Sequence, residues 1–550
     1  MRGLHTLSAM LLARSVGTLA TENPVSPRAA AAATFNNPVI WEDHPDLDVF
    51  RVGDVFYYSS STFAYSPGAP VLRSYDLVNW EAVSHSVPEL NFGAKYNLNG
   101  SGSGYVKGIW ASSLRYRPST DTFHWMGCVE SGKTYIWTAP GNGAAQKRGE
   151  VSEWTWTNHP PINTCYYDCG ILVDDDKDET MYVAYGNPNI RVAQLSKDGL
   201  TQVKTQQVYT SSETIEGSRM YKINGTYYIL VTRPAYAEYV LKSTSGPFGP
   251  YTMKTLVSRI NGPLANAGFS HQGGIVNTPD NKWYYVAFMD SYPSGRIPVV
   301  APLTWTADGW PQLVADGSGG WGKSYPIPVQ TNKTVASPIG VSTDEFKGTQ
   351  LSHEWEWNHN PDKTKFRLVE GSGLVLQTAD VTTDLFAARN TLTHRIIGPK
   401  STGTFRIDVS KMGDGDRAGM VLFRDRSAYI GVHKDGSTST VVTVNALTMS
   451  EGSWTTTAKG TVAAKGPTVS GGDIWLRIQA DITPAFGMTQ ERTATFSYST
   501  DGKTFTALGP AFAMTNSWTY FTGYRYGVFN FATKALGGEV AVRSFSMQLV

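Results

Sequence analysis

Charge is scarce in this chain of 550 residues: Asp, Glu, Lys and Arg make up 17% of it, and the formal net charge is only +1. So weak an electrostatic field gives no drive toward nucleic acid or an anionic membrane surface, which argues for a neutral ligand. Cysteine is scarcer still. Cys128, Cys165 and Cys169 are too few for a disulfide framework and have no metal-binding spacing with His; Cys165 and Cys169 form the candidate pair, leaving one thiol over. No apolar run after the leader is long enough to span a bilayer, and almost no segment keeps a helical period.

What abounds is aromatic residues, at 12%, together with 54 Gly and 29 Pro, a composition suited to strands and turns. Residues 1–20, with Arg2 ahead of LSAMLLARSVGTLA, read as a secretory signal peptide, and residues 21–36 as a low-complexity linker. The chain is therefore expected to be secreted and extracellular, in keeping with sequons at Asn99, Asn224 and Asn332. Its length calls for two domains.

The phrase HPDLDVFRVGDVFYY is a strand, a Gly53-Asp54 turn and a returning strand. The pattern recurs in SLRYRPSTDTFHWMGCV, ILVDDDKDETMYVAYG, RMYKINGTYYILVT and GGIVNTPDNKWYYVAF, with turns near Asp54, Ser119, Asp176, Asn224 and Asp280. Spacings of 65, 57, 48 and 56 residues suit one four-stranded sheet per copy. Five small sheets with no helices to cover them predict a five-bladed β-propeller over residues 37–330.

Counting back 8 or 9 residues from each turn reaches Asp46, Trp110, Asp168, Glu216 and His271. Equivalent positions in successive blades lie at one height on the axis, so these five residues converge. Clustered carboxylates repel and resist desolvation, which makes the set a poor choice for structure alone. Three acids can bind a metal or divide acid and base work. Glycoside hydrolysis needs the division: one carboxyl protonates the leaving oxygen, one activates water, and a third raises the acid's pKa. Trp110 offers a flat face for a sugar ring. The motifs of acyl and phosphoryl transfer are missing.

These motifs resemble the propeller hydrolases of glycoside hydrolase family 43. HPDLDVFRVGDVFYY is similar to the base segment, YVKGIWASSLRYRP to the second-blade entry, YYDCGILVDDD to the modulator segment and EGSRMYKINGTYY to the acid segment. HQGGIVNTPDNKWYYVAF is similar to the axial His segment, and GRIPVVAPLTWTADGWP to the closing strand. The resemblance implies Asp46 as general base with Asp48 in support, Glu216 as general acid and Asp168 as pKa modulator. It makes His271 the axial His and Arg296 a substrate contact. It requires no cofactor but allows a structural calcium near His271, although DDDKDE (Asp174–Glu179) reads as a solvated hairpin tip and not as a calcium loop. Leu47 stands where the family has Pro, which implies a less rigid loop. The family inverts configuration, implying an acid and base roughly 6.5–9.5 Å apart.

From Ser342 to Val550 alternating strands such as GTFRIDV, AGMVLFR and IWLRIQA predict an antiparallel β-sandwich docked on the propeller, with Glu354, Trp355 and Trp357 expected to pack at the interface and glycan binding as the alternative role. WEDHPDLDVFRVGD and VAYGNPNI resemble arabinoxylan arabinofuranohydrolases, which implies release of α-L-arabinofuranose side chains, O3-linked on doubly substituted xylose. Tyr166 and Tyr167, next to Asp168, are expected to form the wall that holds the xylan backbone. Alternatives are a β-xylosidase and a non-catalytic glycan-binding propeller. Arabinoxylan and its oligosaccharides are the expected partners, and the chain is expected to be monomeric.

Overall fold

Each of the five phrases folds as the first hairpin of a four-stranded antiparallel sheet in the computed structural model, which describes residues 33–317 and 319–550. Residues 1–32, where the expected signal peptide and most of the linker fall, lie outside the described residues. The five inner strands are Asp48–Val52, Ser113–Arg117, Gly170–Asp174, Glu216–Ile223 and Ser270–Asn277. Each pairs with the strand just after its turn; in the first blade Val52 faces Val55 across Gly53. Gly53 has φ +57, and a Cβ there would lie 2.3 Å from the carbonyl carbon of Arg148, so both the turn and the close approach require glycine.

The inner and middle strands of the blades are largely buried on both faces, and the outer strands of the second, third and fourth blades are largely exposed. Inner strands carry residues such as Val49, Leu114, Ile171, Met220 and Ile275 against neighbouring blades, which explains the continuous apolar runs in place of strict alternation. Thr34–Asn36 pairs antiparallel with Ser324–Pro326, joining the start of the propeller to its end. Among the described residues the helical segments are three short 3₁₀ turns. The fold is all-β, as the composition indicates.

The second part is a sandwich of a nine-stranded and an eight-stranded sheet, beginning at Ser342–Asp344 and ending with Glu539–Leu549. Its eighth strand is foreign: Tyr65–Ser66, from the first propeller blade, pairs with Trp357 and Asn358. Trp355 and Trp357 are buried in the sandwich core. The junction is polar as well as apolar. Glu356 is fully buried and accepts from Arg395 (2.9 Å) and Arg525 (2.6 Å), while His85 of the propeller lies 3.1 Å from it. Burial alone would raise the Glu356 carboxyl; Arg395 and Arg525 outweigh it and hold the group well below the usual range.

The cysteine pairing differs from the sequence expectation. Cys128 bonds Cys165, and Cys169 is a buried free thiol. Cys128 ends the second strand of blade two, beside which the chain passes after the fourth strand, so the bridge closes 37 positions instead of four.

Candidate active site

All five inner strands run the same way along the axis, so the residues that lead into them meet at one end. There a pocket of about 240 Å³ is lined by Asp46, Trp110, Tyr167, Asp168, Glu216 and Arg296, with Phe63, Val106, Ala111, Gln272 and Phe521. Six of its residues have left-handed backbone: Asp46 (φ 54), Phe63 (φ 53), Val106 (φ 61), Asp168 (φ 49), Gln272 (φ 46) and Phe521 (φ 63). Such conformations in non-glycine residues cost on the order of 1–3 kcal/mol and concentrate where a side chain must be aimed.

The two opening aspartates separate here. Asp46 turns into the pocket, where Ser61 Oγ donates to Oδ2 at 2.7 Å and Arg296 Nη1 to Oδ1 at 2.5 Å. Asp48 points down the axis, accepts from Ser113 Oγ and Leu114 N, and pairs with Arg115. Asp48 is thus a peg between blades and not part of the pocket. The loop is also not loosened by Leu47: that side chain is fully buried, and Arg219 donates to the carbonyls of both Asp46 (2.8 Å) and Leu47 (2.9 Å). Asp46 itself is 5% exposed, a buried group and not a solvent-facing one.

Glu216 opens its strand and accepts from Asn187 Nδ2 at 2.6 Å. Asp168 is fixed through its carbonyl, which accepts from Ser218 N at 2.8 Å, tying the third blade to the fourth behind Glu216. Gly217 follows with φ 68, and a Cβ there would press on Gln272 and Thr232 at 3.0 Å. Trp110 meets Tyr167 edge to face at 6.2 Å, forming one aromatic corner.

Two expected residues stand elsewhere. Tyr166 is fully buried, its ring on Tyr185 and its hydroxyl donating to Gln202, so Tyr167 alone supplies the wall. His271 lies behind the pocket, with Nδ1 3.0 Å from the Phe269 carbonyl and its ring on Phe288; Gln272 takes the lining place. Among the described residues the carboxylate within 4 Å of His271 is that of Asp290, at 3.9 Å. Calcium takes six to eight oxygen ligands, so this donor set fits a directly ligated ion poorly, and no step is derived through one. Among the described residues the acids that could share a cation are Asp174, Asp175 and Asp176, and Lys222 pairs with all three. Asp174 is buried there, bonded also by Tyr227, so the hairpin tip is solvated only from Asp175 onward.

A profile of glycosyl hydrolases family 43 matches residues 35–311, half of the chain, and one of the β-xylosidase C-terminal concanavalin A-like domain matches residues 343–548. The chain belongs to glycosyl hydrolase family 43. A solved family 43 structure, described as an enzyme engineered to display both endo-xylanase and exo-arabinofuranosidase activity, is 63% identical, with a TM-score of 0.92 over 94% of this chain and all of that one. A β-xylosidase of Formosa agariphila is 28% identical over 93% of this chain and 90% of its own length. A non-reducing-end α-L-arabinofuranosidase of Bacteroides ovatus is also 28% identical, over 62% of this chain and 64% of its own.

In this family 43 hydrolase the electrostatics of the mouth divide the acids. Burial raises the Glu216 carboxyl above its ordinary value and the charge of Asp46 adds to it, while the donors Asn187 and Tyr167 pull the other way. Asp168, more deeply enclosed, is raised well above its range by burial and then by Glu216 and Asp46. Asp46 keeps two donors, one of them cationic. The arrangement places Glu216, a carboxyl whose proton affinity is raised, in the same small cavity as Asp46, a carboxyl whose two oxygens are already addressed by donors. That is the division acid–base glycoside hydrolysis requires.

Several lining residues were not visible in the hydrolase's sequence. Phe521 comes from the sandwich: its ring stacks on Phe63 at 5.8 Å and its carbonyl accepts from Arg296 Nε at 3.1 Å. Asp43 fixes that junction, accepting from Arg296 N (2.7 Å) and Gly523 N (2.9 Å). Asn187 lies in the quoted GNPNI run but carries no signal of its own. Glu238, raised to about 8 by burial, accepts from Gln272 N at 2.9 Å and so positions a lining residue.

Proposed function

We propose that this family 43 hydrolase is a secreted, exo-acting, inverting α-L-arabinofuranosidase that removes arabinose side chains from arabinoxylan, with preference for the O3-linked sugar of doubly substituted xylose. The observation that carries the reading is the small pocket of about 240 Å³ holding Asp46, Asp168 and Glu216 together. A volume of that size suits one terminal sugar ring, which favours an exo mode.

Glu216 gives its proton to the glycosidic oxygen as that bond breaks, and Asp46 takes a proton from the water that attacks the anomeric carbon from the opposite face. Arg296 orients Asp46 through Nη1, while its Nη2, buried without a partner, is a free donor for a sugar hydroxyl. Asp168 acts through Glu216: the two carboxyls oppose each other's ionisation, so the buried pair retains a proton for the leaving oxygen. Trp110 and Tyr167 give the sugar and the backbone beyond it an apolar corner. The solved relative with exo-arabinofuranosidase activity supports this reading.

β-Xylosidase is the second reading, supported by the Formosa relative and by the sandwich profile. The test is product analysis on xylo-oligosaccharides carrying one or two arabinoses. Faster arabinose release from the doubly substituted unit supports the proposal; equal rates remove the regiospecific part, and xylose as the sole product replaces it with the second reading. Tyr167→Ala is expected to open the corner and yield backbone products.

A further inference from the structure

The propeller axis has a second mouth. At the end opposite the acids, where the inner strands finish, lies a cavity of about 440 Å³ that all five blades line: Arg51, Arg115, Val173, Lys222 and Trp283 come from blades one to five in turn. Its walls carry the rings of Phe50, Tyr116, Tyr221 and Trp283, and its charged groups are cations only.

Those cations are unequally matched. Lys222 is held by Asp174 at 2.6 Å and by the neighbouring Asp176. Arg51 donates to the carbonyls of Asn277 and Gly53 and to the Asn277 side chain, and forms no ion pair among the described residues; Asp54 acts on it only at longer range. Arg115, 8% exposed, pairs with Asp48 through Nη1 at 2.5 Å, but Asp48 is shared with Arg219, whose Nε lies 3.7 Å away. Arg219 gives its hydrogen bonds to four backbone carbonyls. One carboxylate thus serves two guanidinium groups. The Nη2 of Arg115 is buried with no well-formed hydrogen bond; the Tyr221 hydroxyl is a poorly aligned neutral acceptor beside the guanidinium, which lies 5.3 Å from the Phe50 ring and 5.8 Å from the Tyr221 ring. A buried donor left without an acceptor is costly, and an arginine fork prefers a carboxylate or phosphate.

The geometry points to a non-catalytic binding site for a sugar carboxylate at this rear mouth. A hexuronate unit matches both parts of the lining: its carboxylate meets Arg115 and Arg51, and its ring lies against the aromatic walls. A volume of about 440 Å³ lies in the range of ordinary ligand sites. The site would hold acidic branches of a polysaccharide on the face away from the acids and does not rest on the activity proposed above.

The test is calorimetric titration of the full-length protein with methyl β-glucuronide acid, methyl β-glucoside and sulfate. Wild type and Glu216→Gln are expected to bind the glucuronide with equal affinity and the neutral glucoside at least tenfold more weakly. Trp283→Ala, at the rim, and Arg51→Gln are each expected to weaken the glucuronide at least fivefold while circular dichroism stays unchanged. Absence of saturable glucuronide binding to the wild type overturns the proposal, as does loss of binding in Glu216→Gln with none in Trp283→Ala. Sulfate binding as tightly as the glucuronide, with Trp283→Ala without effect on either, overturns the sugar assignment.

Discussion

Asn187→Ala is a perturbation whose sign the structure determines. Asn187 Nδ2 donates to Glu216 Oε2 at 2.6 Å, and a donor on a carboxylate favours its ionised form. Removing it leaves burial and the Asp46 charge to raise the Glu216 carboxyl further. A hydrogen bond to a charged group contributes about 1.5–3 kcal/mol, and one pKa unit is about 1.4 kcal/mol, which sets a ceiling of roughly one to two units. Asn187 is exposed, so water replaces part of the lost bond, and a rise of about half to one unit is the expected outcome. The general acid must be protonated to work, so the alkaline limb of the kcat/KM profile moves to higher pH by that amount, with the acidic limb unmoved. Asp168→Asn should do the reverse: it removes the carboxyl that competes with Glu216 for ionisation and moves the alkaline limb down. The assay is initial rate against pH on an aryl arabinofuranoside, with thermal unfolding as the control for folding. An alkaline limb that falls or stays in Asn187→Ala, or both variants moving it the same way, refutes Glu216 as the acid.

Asp46→Asn should abolish turnover with the fold intact. Asp46→Ala should also lower Tm, because Arg296 loses its buried partner at a cost of about 3–5 kcal/mol; equal Tm values for the two would contradict the pairing. Phe521→Ala removes a wall but leaves the carbonyl that holds Arg296, so KM should rise roughly tenfold with kcat little changed, as for about 1–2 kcal/mol of lost apolar contact; a fall in kcat alone would refute a purely binding role. Cys128→Ser should reduce stability by about 4 kcal/mol, the chain-entropy scale for a loop of this length, measured by denaturant unfolding; Cys169→Ser should leave the disulfide in place by mass spectrometry.

How far the sequence could be read depended on whether a feature was local. The hairpins are local: a turn pair between apolar runs marks each blade's start, and a constant offset from the turn reached Asp46, Trp110, Asp168 and Glu216, all of which line the pocket. An offset of 9 from Asp280 reached His271, whereas the offset of 8 that serves Asp46, Asp168 and Glu216 lands on Gln272, the residue that lines the pocket. Tyr166 and Tyr167 lie in the turn before the inner strand Gly170–Asp174, where strand alternation does not say which of the two faces the pocket. Alternation could not separate Asp46 from Asp48, two residues apart, because the left-handed φ of Asp46 breaks the alternation. Phe521 was out of reach: it enters the pocket only because Asp43, Arg296 and Gly523 hold two domains together across more than two hundred residues of chain. The Cys128 to Cys165 bridge depends in the same way on where the fourth strand of a blade returns, which spacing does not reveal.

The most direct measurement is the identity and rate of the monosaccharide released from arabinoxylan and from xylobiose by the wild type and by Glu216→Gln. Arabinose from arabinoxylan at a rate far above any xylose from xylobiose, lost in Glu216→Gln while the fold is retained, is the predicted result. Xylose from xylobiose as the faster product, or arabinose release that survives in Glu216→Gln, would contradict it.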